Sequence, residues 1–211
     1  MPRLAYASSA AVYGRDPDAP AEDGAREDEA PTPRTHYGVY KLANEGNARV
    51  YWETHGISSA GLRPLTVYGV ARDQGLTSGP TKALKAAVAG LPYRVRFSGR
   101  TDFLLAADVA AAFIAAAETG PSGAHVYNVH GESATVERFL TLIGKAVPGS
   151  AERLTSTGAP LAIAGQLDGA AFGANYPHVP RTPLAQGIPQ TAAAFARLHA
   201  AGRLPLEDLD D

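Results

Sequence analysis

The chain has 211 residues, a formal net charge of −2, 45% hydrophobic residues and no cysteine. This excludes a disordered chain, a disulfide scaffold and a zinc-finger module, and the balanced charge without a basic cluster argues against a nucleic-acid-binding surface. No apolar run approaches the ~20 residues of a membrane span. The first apolar stretch is short and broken by Ser8 and Ser9, so no signal peptide is read and a cytoplasmic protein is the expectation.

Arg3 to Ala7 reads as a short strand that begins with no preamble, followed by a small-residue turn at Ser8 to Ala11. Arg15 to Thr35 is rich in Asp, Glu and Pro without apolar periodicity, which predicts an exposed loop; its acidic run, Glu22 to Glu29, reads as solvated. Tyr37 to His55 is helical and Gly56 stops it. Ile57 to Tyr68 reads as one strand, with Pro64 placing it at an edge or bulge. A helix over Thr81 to Ala89 and a short strand over Tyr93 to Phe97 follow. Asp108 to Glu118 is a helix in which Asp108 is the N-cap or lies in the first turn. His125 to Val129 is a strand, and Ser133 and Thr135 precede a helix over Val136 to Val147. Ala151 to Tyr176, rich in Gly and Ala, gives no clear element. Thr182 to Ala201 is a last helix, interrupted or started late at Pro189. Strands alternating with helices predict an α/β fold with a largely parallel sheet.

The sharpest group of residues is Ser9, Tyr37 and Lys41. Tyr37 and Lys41 are four apart at a helix start, so they share one face. A phenol titrates near ~10 and is a poor base at neutral pH unless an ammonium beside it favours the phenolate. A hydroxyl at a strand end, such as Ser9, can bind the same substrate oxygen and orient it. Together they suit proton transfer at a sugar or alcohol hydroxyl. The six histidines show no metal-ligand spacing, so no metal site is predicted. Asp102 is assigned a loop hydrogen bond, and Tyr40, Tyr51 and Trp52 packing or interface roles.

Five segments occur in order: YASSAAVYG (6–14), THYGVYK (35–41), GLRPLTVYG (61–69), GRTDFLLAADVAAAF (99–113) and VYNVHGES (126–133). Together they resemble the extended short-chain dehydrogenase/reductase family, in its NAD-dependent nucleotide-sugar epimerase/dehydratase branch, from residue 3 to about 148. The resemblance implies an incomplete Rossmann-like parallel sheet, later strands only, with a small C-terminal substrate-binding subdomain. Residues 1–70 would carry the end of the Rossmann-like domain, and 71–211 would be mostly subdomain, returning to the core at about 99–130. It implies Tyr37 as base and acid, and Lys41 as the group that supports Tyr37 and holds the nicotinamide ribose. Ser9 would be the third member, with Pro64 and Leu65 near the nicotinamide. Thr66, Thr77 and Arg100 are the substrate-side candidates: Thr66 and Arg100 by their places in the family motifs, Thr77 because it precedes a helix whose N-terminus suits a phosphate, an ordinary capped helix being the equal alternative. The implied partner is a nucleotide sugar, and the implied cofactor is NAD, with NADP not distinguished. The implied reaction is oxidation at a sugar carbon, turning of the keto sugar and return of hydride to its other face.

Dehydratases of the branch carry an Asp–Glu pair directly after the Ser/Thr, and decarboxylases a Glu at the second of those positions. Here both are alanine, Ala10 and Ala11. Elimination is hard to run without an acid or base there, so an epimerase-type site is favoured, with a related reductase as the other enzymatic reading.

The family's cofactor fingerprint is a Gly-rich turn after a strand. No GxxGxxG follows a strand in this sequence. The expectation is therefore a chain that lacks most of the dinucleotide site. Three readings stand beside one another: the later part of an epimerase, a non-catalytic sugar-nucleotide-binding module, and half of a split enzyme completed by an N-terminal chain. A homodimer is a further possible partner state.

Overall fold

A computed structural model describes residues 3–14 and 24–209. Much of the loop predicted over Arg15 to Thr35, with Glu22 of its acidic run, lies outside the described residues. The described chain divides into two compact units. The first holds the residues up to Leu65 with Ala107–His130 and Ala162–Arg181; the second holds Thr66–Ala106, Gly131–Leu161 and the residues from Thr182 onward.

The first unit is built on a parallel sheet of β1 (Arg3–Ala7), β2 (Ser58–Arg63) and β6 (Ala124–Asn128), in the order β1-β2-β6. All six residues of β2 are buried, as expected of a strand paired on both sides. Between β1 and β2 runs α1 (His36–His55). Thr35 caps it by accepting the Gly38 N–H at 3.0 Å, and Gly56 ends it in the left-handed region at φ 63°. Gly38 is the helix's one buried residue. The first unit also takes up α3 (Ala106–Glu118), apart from its first residue, and α5 (Ala170–Asn175). Asp108 lies in the first turn of α3, and Val109, Ala112, Ala115 and Ala116 are its buried residues.

The second unit contains β3 (Thr66–Tyr68), β5 (Arg100–Leu105) and β7 (Glu132–Thr135) as one sheet. β3 pairs parallel to β5, and β7 antiparallel to it. A second, two-stranded sheet joins β4 (Tyr93–Val95) to β8 (Leu154–Ser156). Three helices cover this unit: α2 (Gly79–Ala89), α4 (Val136–Ala146) and α6 (Leu184–Ala200). α4 buries Val136, Phe139, Leu140 and Ile143, one helical face. Phe139 stacks on Phe103 at 4.5 Å and meets Tyr68 edge-on at 5.1 Å, at the centre of the core.

The fold is α/β with largely parallel pairing, and three expectations are corrected. The run 57–68 is two strands in different sheets, not one. Pro64 has no N–H to give a ladder; the chain breaks there, and β2 lies at the centre of its sheet. Arg100–Leu105 is a strand although its sequence lacks alternation. α6 passes through Pro189 without interruption, because in its second turn a proline forfeits one hydrogen bond while Ile188, Ala192 and Phe195 hold the helix to the core.

Candidate active site

Ser9, Tyr37 and Lys41 all belong to the first unit, at the C-terminal end of β1. After Ala7 the strand gives way to a single 3-10 turn, Ala10–Val12. Ser9 caps that turn: its Oγ accepts the Ala11 N–H at 3.1 Å, and its O–H stays a donor. The Ala10 N–H is donated to the carbonyl of Pro64 at 3.1 Å. The turn is thereby fixed to the end of β2.

α1 begins directly against this turn. A Cβ at position 38 would fall on the carbonyl of Ala11 and within 2.9 Å of the Pro33 side chain. Glycine is thus what lets the first turn of α1 come this close. Tyr37 stands beside it, 56% exposed. One turn on, the Lys41 ammonium lies 5.4 Å from the centre of the Tyr37 ring and donates to the carbonyl of Ala7 at 2.8 Å. That bond uses one of its three N–H donors.

Beneath these residues lies a polar cluster that the sequence reading missed. Arg63, the last residue of β2, is 2% exposed. Its Nε and Nη2 grip Glu45 of α1 at 2.7 and 2.6 Å. Its Nη1 donates to the phenol oxygen of Tyr13, whose ring centre lies 4.9 Å from the guanidinium carbon. Ser8 donates to the same Glu45 oxygen that Arg63 Nε holds. Tyr13 donates to Asn128 Oδ1 at 2.9 Å, Asn128 Nδ2 donates to the Ala25 carbonyl at 2.7 Å, and the Asn128 N–H donates to Glu27 at 2.8 Å. Burial pushes the Tyr13 hydroxyl up despite the neighbouring Arg63. Glu27 therefore does not belong to a purely solvated acidic run. A signal existed: Arg63 ends a run of small and apolar residues of the kind that a buried strand takes, and a buried charge must be paired.

Pro64 and Leu65 are half-buried next to this cluster, and Leu65 packs against Ala10, Val12 and Tyr13. The other predicted residues lie in the second unit. Thr66 is fully buried, its hydroxyl hydrogen-bonded to that of Thr101 at 2.7 Å. Thr77 is half-buried and accepts from Arg72 at 3.1 Å. Arg100 is exposed and reaches the Ser133 carbonyl at 3.4 Å. Asp102 is buried and accepts the Gly131 N–H at 2.7 Å, the loop bond assigned to it. The second unit also holds a recess of about 320 Å³ at the start of α2, lined among others by Gly75, Gly79, Lys82, Tyr93 and Arg96. Among the described residues, no group of three His, Asp or Glu could hold a metal ion, and no helix is long and apolar enough to cross a membrane.

Residues 1–129 match the NAD dependent epimerase/dehydratase family. The chain belongs to that family. UDP-glucuronate 4-epimerase 5 of Arabidopsis thaliana is 40% identical over 69 residues, which are 33% of this chain and 15% of that protein. Among solved structures, MoeE5 in complex with UDP-glucuronic acid and NAD is 25% identical with a TM-score of 0.78, covering 94% of this chain and 66% of that one. UDP-glucuronic acid 4-epimerase from Bacillus cereus in complex with NAD is 23% identical with a TM-score of 0.73, covering 93% and 60%. The chain thus spans no more than about two thirds of the relatives it matches. The extended short-chain dehydrogenase fold expected from the five segments is the fold these structures share.

Proposed function

We propose that this protein is an NAD-dependent nucleotide-sugar epimerase that works on the C4 carbon of a UDP-sugar, with Ser9, Tyr37 and Lys41 as its reacting site. One observation carries the reading: a solvent-facing phenol with an ammonium 5.4 Å from its ring, that ammonium bonded to Ala7 at the end of the strand that leads to Ser9. The UDP-glucuronic acid found with one of the similar structures makes a UDP-sugar the first substrate class to test.

Tyr37 takes the proton of the sugar hydroxyl that is oxidised and returns it when the hydroxyl is remade. Lys41 stabilises the phenolate that forms by placing its positive charge near the ring. Ser9 donates to the same sugar oxygen and fixes its direction. Ala10 and Ala11 supply no carboxyl group, so the site has no acid or base at the place where an elimination would need one.

The residues fit the nicotinamide end of the cofactor. The two N–H donors of Lys41 that have no hydrogen-bond partner among the described residues and the exposed Tyr37 hydroxyl suit a ribose diol, and the half-buried Pro64 and Leu65 offer an apolar wall. Bound NAD supplies the hydride acceptor and donor that the side chains cannot. Within the second unit, taken by itself, we assign Thr77, Arg100 and the recess with Lys82 and Arg96 as candidates for holding a phosphate, since they supply cationic and hydroxyl groups. Thr66 acts there through its bond to Thr101. The test is conversion of UDP-glucuronate in the presence of added NAD, followed by separation of the C4 epimers; absence of any conversion at saturating NAD and sugar contradicts the assignment.

A second reading, half of a split enzyme, is favoured by the edge of the first sheet. Among the described residues nothing pairs with the outer side of β1. Along it lies a groove of about 360 Å³ lined by Leu4, Tyr6, Ala48 and Tyr51. An open edge beside apolar surface invites a further strand and helix or a second copy. Purification as a stable, soluble monomer counts against this reading.

A further inference from the structure

We propose that Arg63 and Glu45 are positioning residues: their buried ion pair holds Ser9, Tyr37 and Lys41 in one arrangement without touching substrate. The inference deepens the assignment of that site and rests on it.

Little apolar packing holds α1. In a helix of 20 residues Gly38 is the one buried position. Leu42 is half-buried against the small cluster of Ala10, Val12 and Tyr13, while Tyr37, Val39, Tyr40, Val50 and Tyr51 are exposed. A helix so placed is held by its polar anchors. Two of these are one turn apart on the same face. Lys41 is bonded to the carbonyl of Ala7, and Glu45 to the hydroxyl of Ser8. These are the two residues directly before Ser9. The anchors therefore tie the start of α1, with Tyr37, to the strand end that presents Ser9.

Glu45 can serve as an anchor only because Arg63 holds it. A carboxylate with a side chain 8% exposed needs a partner, and the bidentate fork of Arg63 supplies one in a fixed plane. Arg63 is in turn fixed by Tyr13, and Tyr13 by Asn128. The described donors and acceptors of this network are paired from β6 through β2 to α1, the condition under which a buried polar network rigidifies its surroundings. A buried ion pair is weak as a source of net stability, and its best use is to specify one arrangement over others.

The test compares the full chain with Glu45→Gln, Arg63→Lys and the apolar pair Glu45→Leu/Arg63→Met, the last chosen because it leaves no buried charge unpaired. Circular dichroism first establishes that each variant is folded at the assay temperature. Two readouts follow. The first is turnover of UDP-glucuronate with NAD: the folded variants are expected to lose kcat by at least about tenfold with KM little changed, as a misplaced reacting group does. The second does not depend on activity: the rate at which an acylating reagent labels Lys41, read by mass spectrometry against the exposed Lys145 in the same molecule. Released from its anchor, Lys41 is expected to label severalfold faster in the Glu45 variants, with Lys145 unchanged. Labelling of Lys41 at the wild-type rate in a folded apolar pair overturns the proposal. Absence of turnover in the wild-type chain contradicts the assigned function, and the labelling rates still decide the positioning role. Unchanged kcat in a folded variant, with an active wild type, also overturns it.

Discussion

Lys41 donates to the main-chain carbonyl of Ala7 at 2.8 Å, so the helix that carries Tyr37 is fastened to the end of the first strand through the ammonium that stands beside its ring. One side chain thus has two tasks. In the proposed reaction it supports the phenolate, and through its bond to Ala7 it ties the start of α1 to the strand that leads to Ser9.

Replacement of Tyr37 by Phe removes the proposed proton carrier and leaves the ring in place. Turnover of the UDP-sugar is expected to fall by ~10²–10⁴-fold, the usual contribution of a positioned acid–base group. Lys41→Met should lose a comparable amount, because it removes both the charge and the bond to Ala7. Binding of the sugar nucleotide, measured by calorimetry, should change little in Tyr37→Phe.

Gly38→Ala places a methyl group on the carbonyl of Ala11 and against Pro33. The obstacle is main chain on one side, so the first turn of α1 must move. The expected cost is about 1–3 kcal/mol, the range for overpacked sites, read from the urea midpoint at unchanged slope. Gly46→Ala, where a Cβ meets nothing within 4 Å, is the control and should be neutral or slightly stabilising.

Arg63→Ala leaves the Glu45 carboxylate buried without its partner. A loss of about 3–5 kcal/mol is expected, as when one member of a buried pair is removed. The apolar pair Glu45→Leu/Arg63→Met should recover most of it. Equilibrium denaturation of the three variants checks both statements.

Stability should decline in alkaline solution. Burial, with the phenol of Tyr176 next in importance, pushes the Tyr127 hydroxyl up to about 12, against ~10 for a free phenol. Tyr6 is raised for the same first cause, with Glu45 adding to it. A folded-state value above the unfolded one means the folded chain keeps its proton longer. The contribution is complete below pH ~10 and is lost as pH rises from there through 12. The denaturation midpoint should therefore fall above pH ~10, and less steeply in Tyr127→Phe.

Much of this was readable in the chain. The first strand, α1, α3 and α4 fall within a residue or two of their predicted ends, because each has a cap, a stop or a clear apolar period: Gly56 for α1, and the Val136–Ile143 face for α4. What escaped was set by tertiary contact. Arg100–Leu105 is a strand through its pairing with β3 and β7, which local sequence does not announce. Pro64 splits a run that pattern alone joins. Ser9, Tyr37 and Lys41 stood out by residue type and spacing. Glu45 did not: four residues after Lys41 it looks like the partner of that lysine on an exposed helix face. The structure gives it to Arg63 instead, a residue 18 positions away that only the packing of α1 on β2 brings near.

In the proposed reaction Tyr37 moves the proton while a hydride leaves and returns to the same sugar carbon. The most direct measurement supplies the chain with NAD and UDP-glucuronate deuterated at C4, and follows the label in the product by mass spectrometry and proton NMR. The expected product is a C4 epimer that keeps its deuterium, formed by the wild type and, at the same enzyme concentration, essentially absent with Tyr37→Phe. An epimer that has lost its deuterium to solvent, or one formed equally well without the Tyr37 hydroxyl, would contradict it.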